Sequence, residues 1–332
     1  MNKHATIIGS GSMGTICALI LAQNNYKVVV YSRRQVQTDL LSASHINQAY
    51  LPDILLPNNI TFTSEPTVAF KDASFAVSGV PCKFLSNTLS TLKPHIPATL
   101  PIVSITKGIE NDSLLRPSQI IHNVLGTQKI AIFSGPNIAK EMAQNLLTTV
   151  TLVSNDQAFA TDMQHAFSTN WLRGYTNNDC IGVELAGATK NVIAIAAGII
   201  DGLKSGDNAK AALLTRGLVE ITRLGLAMGA KEDTFRGLTG MGDLVTTCIS
   251  PSGRNRSFGE LLAKGMNTET ALESITGQVE GINTVKSIVQ LAQKHKVDMP
   301  IAQAVNDILF NKKELRCAIK DLMTRSLKPE TH

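Results

Sequence analysis

Cysteine pairs, histidine clusters, basic runs and long apolar stretches are all scarce in this chain, and each scarcity removes a class of protein. The five cysteines (Cys17, Cys82, Cys180, Cys248, Cys317) are scattered, odd in number and form no C-x-x-C pair. That pattern suits free thiols in a reducing compartment rather than a disulfide frame. The seven histidines lack zinc-type spacing, so no metal is expected. Lysine and arginine number 31 against 26 aspartates and glutamates, a net charge of +5 without basic runs. So mild a balance does not imply nucleic acid or a membrane surface, and it suits a small phosphorylated ligand. No apolar run approaches the ~18 residues of a membrane span. The N-terminus passes straight into "HATIIGSGSMG" with no signal core. The expectation is a soluble cytoplasmic protein with no nucleic-acid partner and no membrane insertion.

What is present is alternation. The 332 residues suggest two domains. In the first half, short β-rich runs (5–8, 27–32, 74–79, 101–106, 129–134, 148–154) alternate with helix-length segments. That order predicts a parallel, doubly wound α/β sheet. Near residue 180 the pattern turns helical, with periods over 184–200, 208–228, 256–264, 268–276, 283–295 and 300–310. The expected division is a dinucleotide-binding domain over 1–182 and an all-α domain over 183–332.

The segment "TIIGSGSMGT" holds Gly9-x-Gly11-x-x-Gly14 directly after a strand and at the opening of a helix. In that context the first glycine allows the tight turn and the second lets a pyrophosphate approach the backbone. The third lets helix and strand pack closely. The helix N-terminus then offers its free N–H groups to phosphate. At the end of the second strand, where NAD-preferring folds place an acid, this chain has Arg33 and Arg34. A guanidinium can bind a 2′-phosphate that an acid would repel, so NADP(H) is expected ahead of NAD(H).

Ligands in open α/β sheets sit beyond the carboxyl ends of the strands. Those ends supply Gly79-Val80-Pro81, Thr106-Lys107-Gly108 and Ser134-Gly135-Pro136-Asn137. In the second half, "GLTGMGDLVTTC" sets three glycines around Asp243, and "SPSGRNRSFGELL" is expected to hold Gly253, Arg254, Asn255 and Arg256 on a loop before a helix. Guanidinium and helix N–H groups together can hold a phosphate. The apolar, small-residue run "ELAGATKNVIAIAAGII" carries Lys190 and Asn191. A lysine there is either a snorkelling surface residue or an ammonium held at a site.

Taken together, these segments resemble the bacterial NAD(P)-dependent sn-glycerol-3-phosphate dehydrogenases, and the resemblance runs nearly the whole chain. It rests on "GSGSMGT", "NQAYLPDILLP", "VSGVPCKF", "SITKGIE", "FSGPNIAKE", "GATKNVIAIAAGIIDGL", "NAKAALLTRGLVEITRLG", "GLTGMGDLVTTC", "SGRNRSFGE" and "GQVEG", in the family's order. The resemblance implies a Rossmann domain followed by a helical substrate domain, usually as a homodimer. The implied reaction is reversible hydride transfer between dihydroxyacetone phosphate and sn-glycerol 3-phosphate. Lys190 would be the general acid/base, with Asn191 helping to hold the substrate hydroxyls. Lys107, Gly135, Asn137, Asp243, Gly253, Arg254 and Asn255 fall at substrate positions. Ser12, Met13, Arg33, Lys107, Ala139, Arg254 and Val279-Glu280 fall at cofactor positions.

Three positions depart from the family's usual pattern. Met13 stands where an aromatic is common, Gly253 replaces a serine, and "GQVEG" is one residue shorter than "GQVVEG". For Lys190, burial and Lys107 would lower the pKa while Asp243 and a bound phosphate would raise it, a balance the sequence leaves open. Two other readings stand beside this one. A ketopantoate or β-hydroxyacid dehydrogenase would recognise a carboxylate, and a non-catalytic NADP(H)-binding redox sensor would lack the polar cluster of the second half.

Overall fold

The structure is a computed structural model and describes residues 3–327 together with Pro329 and Glu330. Among the described residues, ten strands follow one another along the first half of the chain: β1 (His4–Ile8), β2 (Lys27–Tyr31), β3 (Ile46–Asn47), β4 (Leu51–Leu55), β5 (Ile60–Thr63), β6 (Phe75–Ser78), β7 (Ile102–Ser104), β8 (Ile130–Ser134), β9 (Thr148–Ser154) and β10 (Leu172–Asn177). Eight form one sheet in the order β10-β9-β8-β7-β6-β1-β2-β5, and β3 and β4 make a separate hairpin. The inner strands read as continuous apolar runs because helices cover both faces of the sheet. Ile7 and Val30, register partners of neighbouring strands, are buried accordingly. All six expected strands lie within two residues of their predicted places.

The two missed main-sheet strands, β5 and β10, are the sheet's edges. Their sequences, Ile-Thr-Phe-Thr and Leu-Arg-Gly-Tyr-Thr-Asn, carry the polar residues that a half-solvated edge permits. The expectation of a parallel sheet needs one correction, because β8 pairs with β9 in antiparallel fashion. β10 then runs parallel to β9.

The chain leaves β10 and enters a 23-residue helix, Cys180–Gly202, around which the second half is assembled. Asp179 caps it, accepting from Gly182 N at 2.9 Å. The same carboxylate takes Lys231 N at 2.8 Å and Thr234 Oγ1 at 2.7 Å, which ties the start of the helix to a later turn. Near its beginning the helix lies over the sheet, with Val183 packed against Ile132 and Val153. By length and a mean hydropathy of 1.5 this helix could cross a membrane, which corrects the expectation that no apolar run approaches that length. Its apolar residues face protein on every side, since 89% of the window is buried.

Small residues let the neighbouring helix, Arg254–Ala263, cross very close to it. A Cβ on Gly198 would lie 1.9 Å from the Arg256 carbonyl oxygen, and one on Gly259 would lie 2.1 Å from that of Ile195. Asp201 fastens the crossing through an ion pair to Arg256 (2.6 Å), and also pairs with Lys210 (2.8 Å) of the helix Asp207–Ala227. The two halves of the chain are joined by Glu184, whose buried carboxylate accepts from Arg116 Nη1 at 2.5 Å, Ser118 N at 2.7 Å and Ser118 Oγ at 2.7 Å. Burial raises the Glu184 pKa and Arg116 opposes that rise.

The crossing generates a test with a diagnostic sign. Alanine is a better helix former than glycine by roughly 1 kcal/mol. Gly259→Ala should nevertheless destabilise, by about 1–3 kcal/mol, because its methyl meets backbone. A rise in the urea midpoint would refute the close crossing.

Candidate active site

Asp243 is the organising residue. It opens the helix Asp243–Ile249 and is preceded by a π-helical turn, Leu238–Gly242. Glycine is needed in that turn: a Cβ on Gly240 would lie 2.1 Å from the Phe235 carbonyl oxygen. "GLTGMGD", whose glycines do not read as plain helix, is therefore an irregular turn that leads directly into a helix. The Asp243 carboxylate is 1% exposed and is shared by two ammonium groups. Oδ1 accepts from Lys190 Nζ at 2.5 Å and Oδ2 from Lys107 Nζ at 2.7 Å.

Lys107 follows β7 and reaches across the carboxyl end of β8. There its Nζ also donates to Asn137 Oδ1 at 3.0 Å and the Gly135 carbonyl at 3.3 Å. Gly135 has φ +124°, a conformation that favours glycine. Four predicted substrate-site residues thus meet Lys190 in one hydrogen-bonded group drawn from both halves of the chain.

Lys190 is 5% exposed, so the reading of it as a snorkelling surface lysine is discarded. Burial pushes its pKa down to about 8; Asp243 opposes the fall and Lys107 adds to it. Its second hydrogen bond, to Thr247 Oγ1 at 2.6 Å, was missed in the sequence. The signal was legible once Asp243 was assigned to a helix, because residues i and i+4 share a face.

Asn191 and Asn255 are buried and bonded to each other, Asn255 Nδ2 donating to Asn191 Oδ1 at 3.0 Å. Asn255 Oδ1 accepts from Gly281 N at 2.9 Å, which brings the start of the helix Glu280–His295 against the same point. Arg254, Asn255 and Arg256 form the first turn of the helix Arg254–Ala263, not a loop before it. The N-cap is Gly253, and a Cβ there would come within 3.0 Å of the Thr247 carbonyl oxygen. No side chain caps this helix and no acid stands in its first turn, so its N–H groups and the exposed Arg254 are available to an anion. Arg256 is spent on Asp201 and Glu260.

Arg254 Nη1 would lie 2.5 Å from a Cβ on Gly277. Arg254 also opposes the burial that raises the Glu280 carboxyl pKa to about 7. Val279, of the predicted cofactor set, has its side chain buried in the helical core, which leaves its backbone to serve.

The glycine turn lies at the carboxyl ends of β1 and β2. Gly9 has φ +104°, and a Cβ on Gly14 would meet the Gly9 carbonyl oxygen at 2.2 Å. A Cβ on Gly11 would meet nothing within 4 Å, which leaves open space in front of the turn. The helix Ser12–Gln23 has neither a side-chain cap nor an acid in its first turn. These features fit the pyrophosphate of a dinucleotide. Met13 and Ala139 pack against the core beneath. Arg33 and Arg34 are exposed just past β2, and neither forms an ion pair among the described residues. Those residues also hold no cluster of three or more histidine, cysteine, aspartate or glutamate side chains suited to a metal ion. A cavity of about 430 Å³ between the last helices contains none of the site residues. Its Asp298 and Asp321 carboxylates are paired with Arg325 and Lys313.

Comparison with known proteins decides the family. Residues 4–160 match the family model for the NAD-dependent glycerol-3-phosphate dehydrogenase N-terminus, and 179–320 match that for its C-terminus. The chain belongs to the NAD-dependent glycerol-3-phosphate dehydrogenase family. A relative from Bacillus velezensis, named glycerol-3-phosphate dehydrogenase [NAD(P)+], is 43% identical, the alignment covering 97% of this chain and 94% of that one. The crystal structure of glycerol-3-phosphate dehydrogenase from Coxiella burnetii has a TM-score of 0.94 at 37% identity, covering 98% of this chain and 99% of that one. A ketopantoate reductase from Ralstonia eutropha has a TM-score of 0.58 at 13% identity, covering 96% and 99%, and shares the fold alone.

The shared carboxylate yields a prediction that needs no substrate. Acylation of the Lys190 amine, followed against pH by mass spectrometry, should report a titration near 8. Asp243→Asn removes the anion that holds the proton on, so the titration should move to lower pH. A move to higher pH would contradict the arrangement.

Proposed function

We propose that this chain catalyses the reversible, NAD(P)H-dependent reduction of dihydroxyacetone phosphate to sn-glycerol 3-phosphate. The observation that carries this reading is the buried Lys190–Asp243–Lys107 group at the carboxyl ends of the strands, beside the uncapped helix of Arg254. When bound, the nicotinamide supplies the hydride. Negative charge then develops on the ketone oxygen, and the Lys190 ammonium stabilises it and delivers the proton. In the reverse direction the neutral amine takes the hydroxyl proton.

Asp243 and Thr247 fix the direction of the Lys190 Nζ. Two lysines on one carboxylate leave a net positive charge, which suits a phosphorylated substrate. Arg254 and the N–H groups behind it would take the phosphate, with Lys107, Gly135, Asn137, Asn191, Gly253 and Asn255 lining the substrate. Gly9, Gly11, Ser12, Met13 and Gly14 would hold the pyrophosphate, with Ala139, Val279 through its backbone, and Glu280 further along the cofactor.

The preference is for NADP(H), supported by two unpaired guanidinium groups where an acid would exclude a 2′-phosphate. We assign 1–182 to the cofactor and 183–332 to the substrate. A homodimer is supported by exposed apolar side chains on the helical half, among them Leu226, Ile249 and Leu272. A cytoplasmic setting is supported by five free cysteines. The physiological role would be to supply glycerol 3-phosphate for phospholipid synthesis.

Purified protein mixed with dihydroxyacetone phosphate should oxidise NADPH at 340 nm, and Lys190→Ala should lower kcat by roughly 10³-fold. Turnover of a ketoacid instead of the phosphorylated ketone would replace the substrate assignment. Because reduction needs the ammonium, kcat/KM for the ketone should fall as pH rises through about 8. Because oxidation needs the free amine, kcat/KM for glycerol 3-phosphate should rise over the same interval. Replacing Arg33 and Arg34 together by alanine should cost NADPH at least tenfold in kcat/KM, about 1.4 kcal/mol, and leave NADH nearly unchanged. Equal losses for both cofactors would defeat the 2′-phosphate assignment.

A further inference from the structure

The crossover from β2 to β5 contains more than a helix. The helix Gln35–Ser44 ends at His45, whose φ of +49° turns the chain into the β3–β4 hairpin. Leu56 N donates to the His45 carbonyl at 2.7 Å and closes the base of the hairpin. The register pairs Ile46 with Leu55 and Asn47 with Leu51. This places the Asn47 side chain, only 2% exposed, beneath the glycine turn. Its Nδ2 donates to the Ser10 carbonyl at 2.9 Å and to Thr15 Oγ1 at 2.8 Å. The Thr15 hydroxyl in turn donates a hydrogen bond to the Gly11 carbonyl at 3.0 Å.

A side-chain amide nitrogen has two N–H donors, and here one goes to each side of the same turn. Ser10 lies on the strand side and Thr15 on the first turn of the helix. Between them stand Gly11 and Gly14, with Gly9 just before Ser10, the residues whose backbones have most freedom to lose. A turn of that composition would otherwise be ordered by its ligand, and that ordering would weaken binding.

We propose that Asn47 is a positioning residue for the dinucleotide. It holds the Gly9–Gly14 turn in the form that presents the helix N-terminal N–H groups to the pyrophosphate, and it touches no reacting atom. The inference rests on the reading of this chain as a dinucleotide-dependent oxidoreductase. It also gives "NQAYLPDILLP" a use that its place in the family resemblance does not specify.

The test is direct titration with NADPH, followed by the cofactor's fluorescence, on wild type, Asn47→Ala, Thr15→Val and the double variant. Loss of a buried hydrogen-bonded link predicts a Kd raised about tenfold in Asn47→Ala and roughly threefold in Thr15→Val. The double variant should be no weaker than Asn47→Ala, because both changes break one chain of hydrogen bonds. At saturating NADPH, kcat and the KM for dihydroxyacetone phosphate should stay within about twofold of wild type, since the lysine site is untouched. Should Asn47→Ala not fold, Asn47→Asp has the same shape without the donors and carries the same expectation. Tight NADPH binding by the Asn47 variants, or losses in the double variant that multiply, overturns the inference while leaving the functional reading in place. A wild-type protein that binds neither NADPH nor NADH overturns both.

Discussion

The structure turns on one carboxylate held by two lysines. Asp243 is buried, and a buried anion is tolerated only when paired and fully hydrogen-bonded. Lys190 and Lys107 supply that pairing from different parts of the chain, one on the central helix and one beyond a sheet strand. The Lys190 ammonium is in turn too deep to stand alone, whereas Lys107 is only partly buried. The three groups therefore stabilise one another, and together they bind the sheet to the helical half at the place where chemistry is proposed. Another link between the halves, Arg116 with Glu184, follows the same logic.

Much of this was legible in residue types and spacing. The glycine turn, the inner strands and the central helix follow from period and burial, which repeat along the chain and so leave a readable pattern. Lys107, Gly135 and Asn137 could be found by reading the carboxyl ends of strands, because the fold itself directs ligands there. What escaped the reading was decided by partners distant in sequence. β5 and β10 are strands because they have a neighbour on one side to pair with; their own residues only weakly specify it. Arg254 and Arg256 look alike in sequence, yet one is exposed beside Gly277 and the other is fastened to Asp201. Val279 reads as part of a motif, but its side chain completes the helical core. Thr247 was missed because the glycines before Asp243 disguised a helix as a loop.

The balance at Lys190 shows where inspection of sequence ends. Both lowering and raising influences could be named from the residues, but their order of size depends on depth of burial. In the structure burial is the larger, so the amine titrates within reach of neutral pH. That makes it usable in both directions of a reversible proton transfer, whereas a lysine in water would give up its proton too reluctantly to act as a base.

The reversal of β9 against β8 has a geometric consequence. Because β9 and β10 run back across the sheet, the chain leaves β10 at the amino ends of β6, β7 and β8. The central helix then returns along β8, with Val183 over Ile132 and Gly187 beside Ser134 and the stem of Lys107. Four helix residues advance about 6 Å and two strand residues about 6.6 Å, so helix and strand keep pace. Lys190 thus reaches the strand ends on a continuous rigid element, without an intervening loop. One residue added to or removed from the first turns of that helix would swing the amine about 100° away from Asp243. The length of this stretch is as much a part of the site as the lysine it delivers.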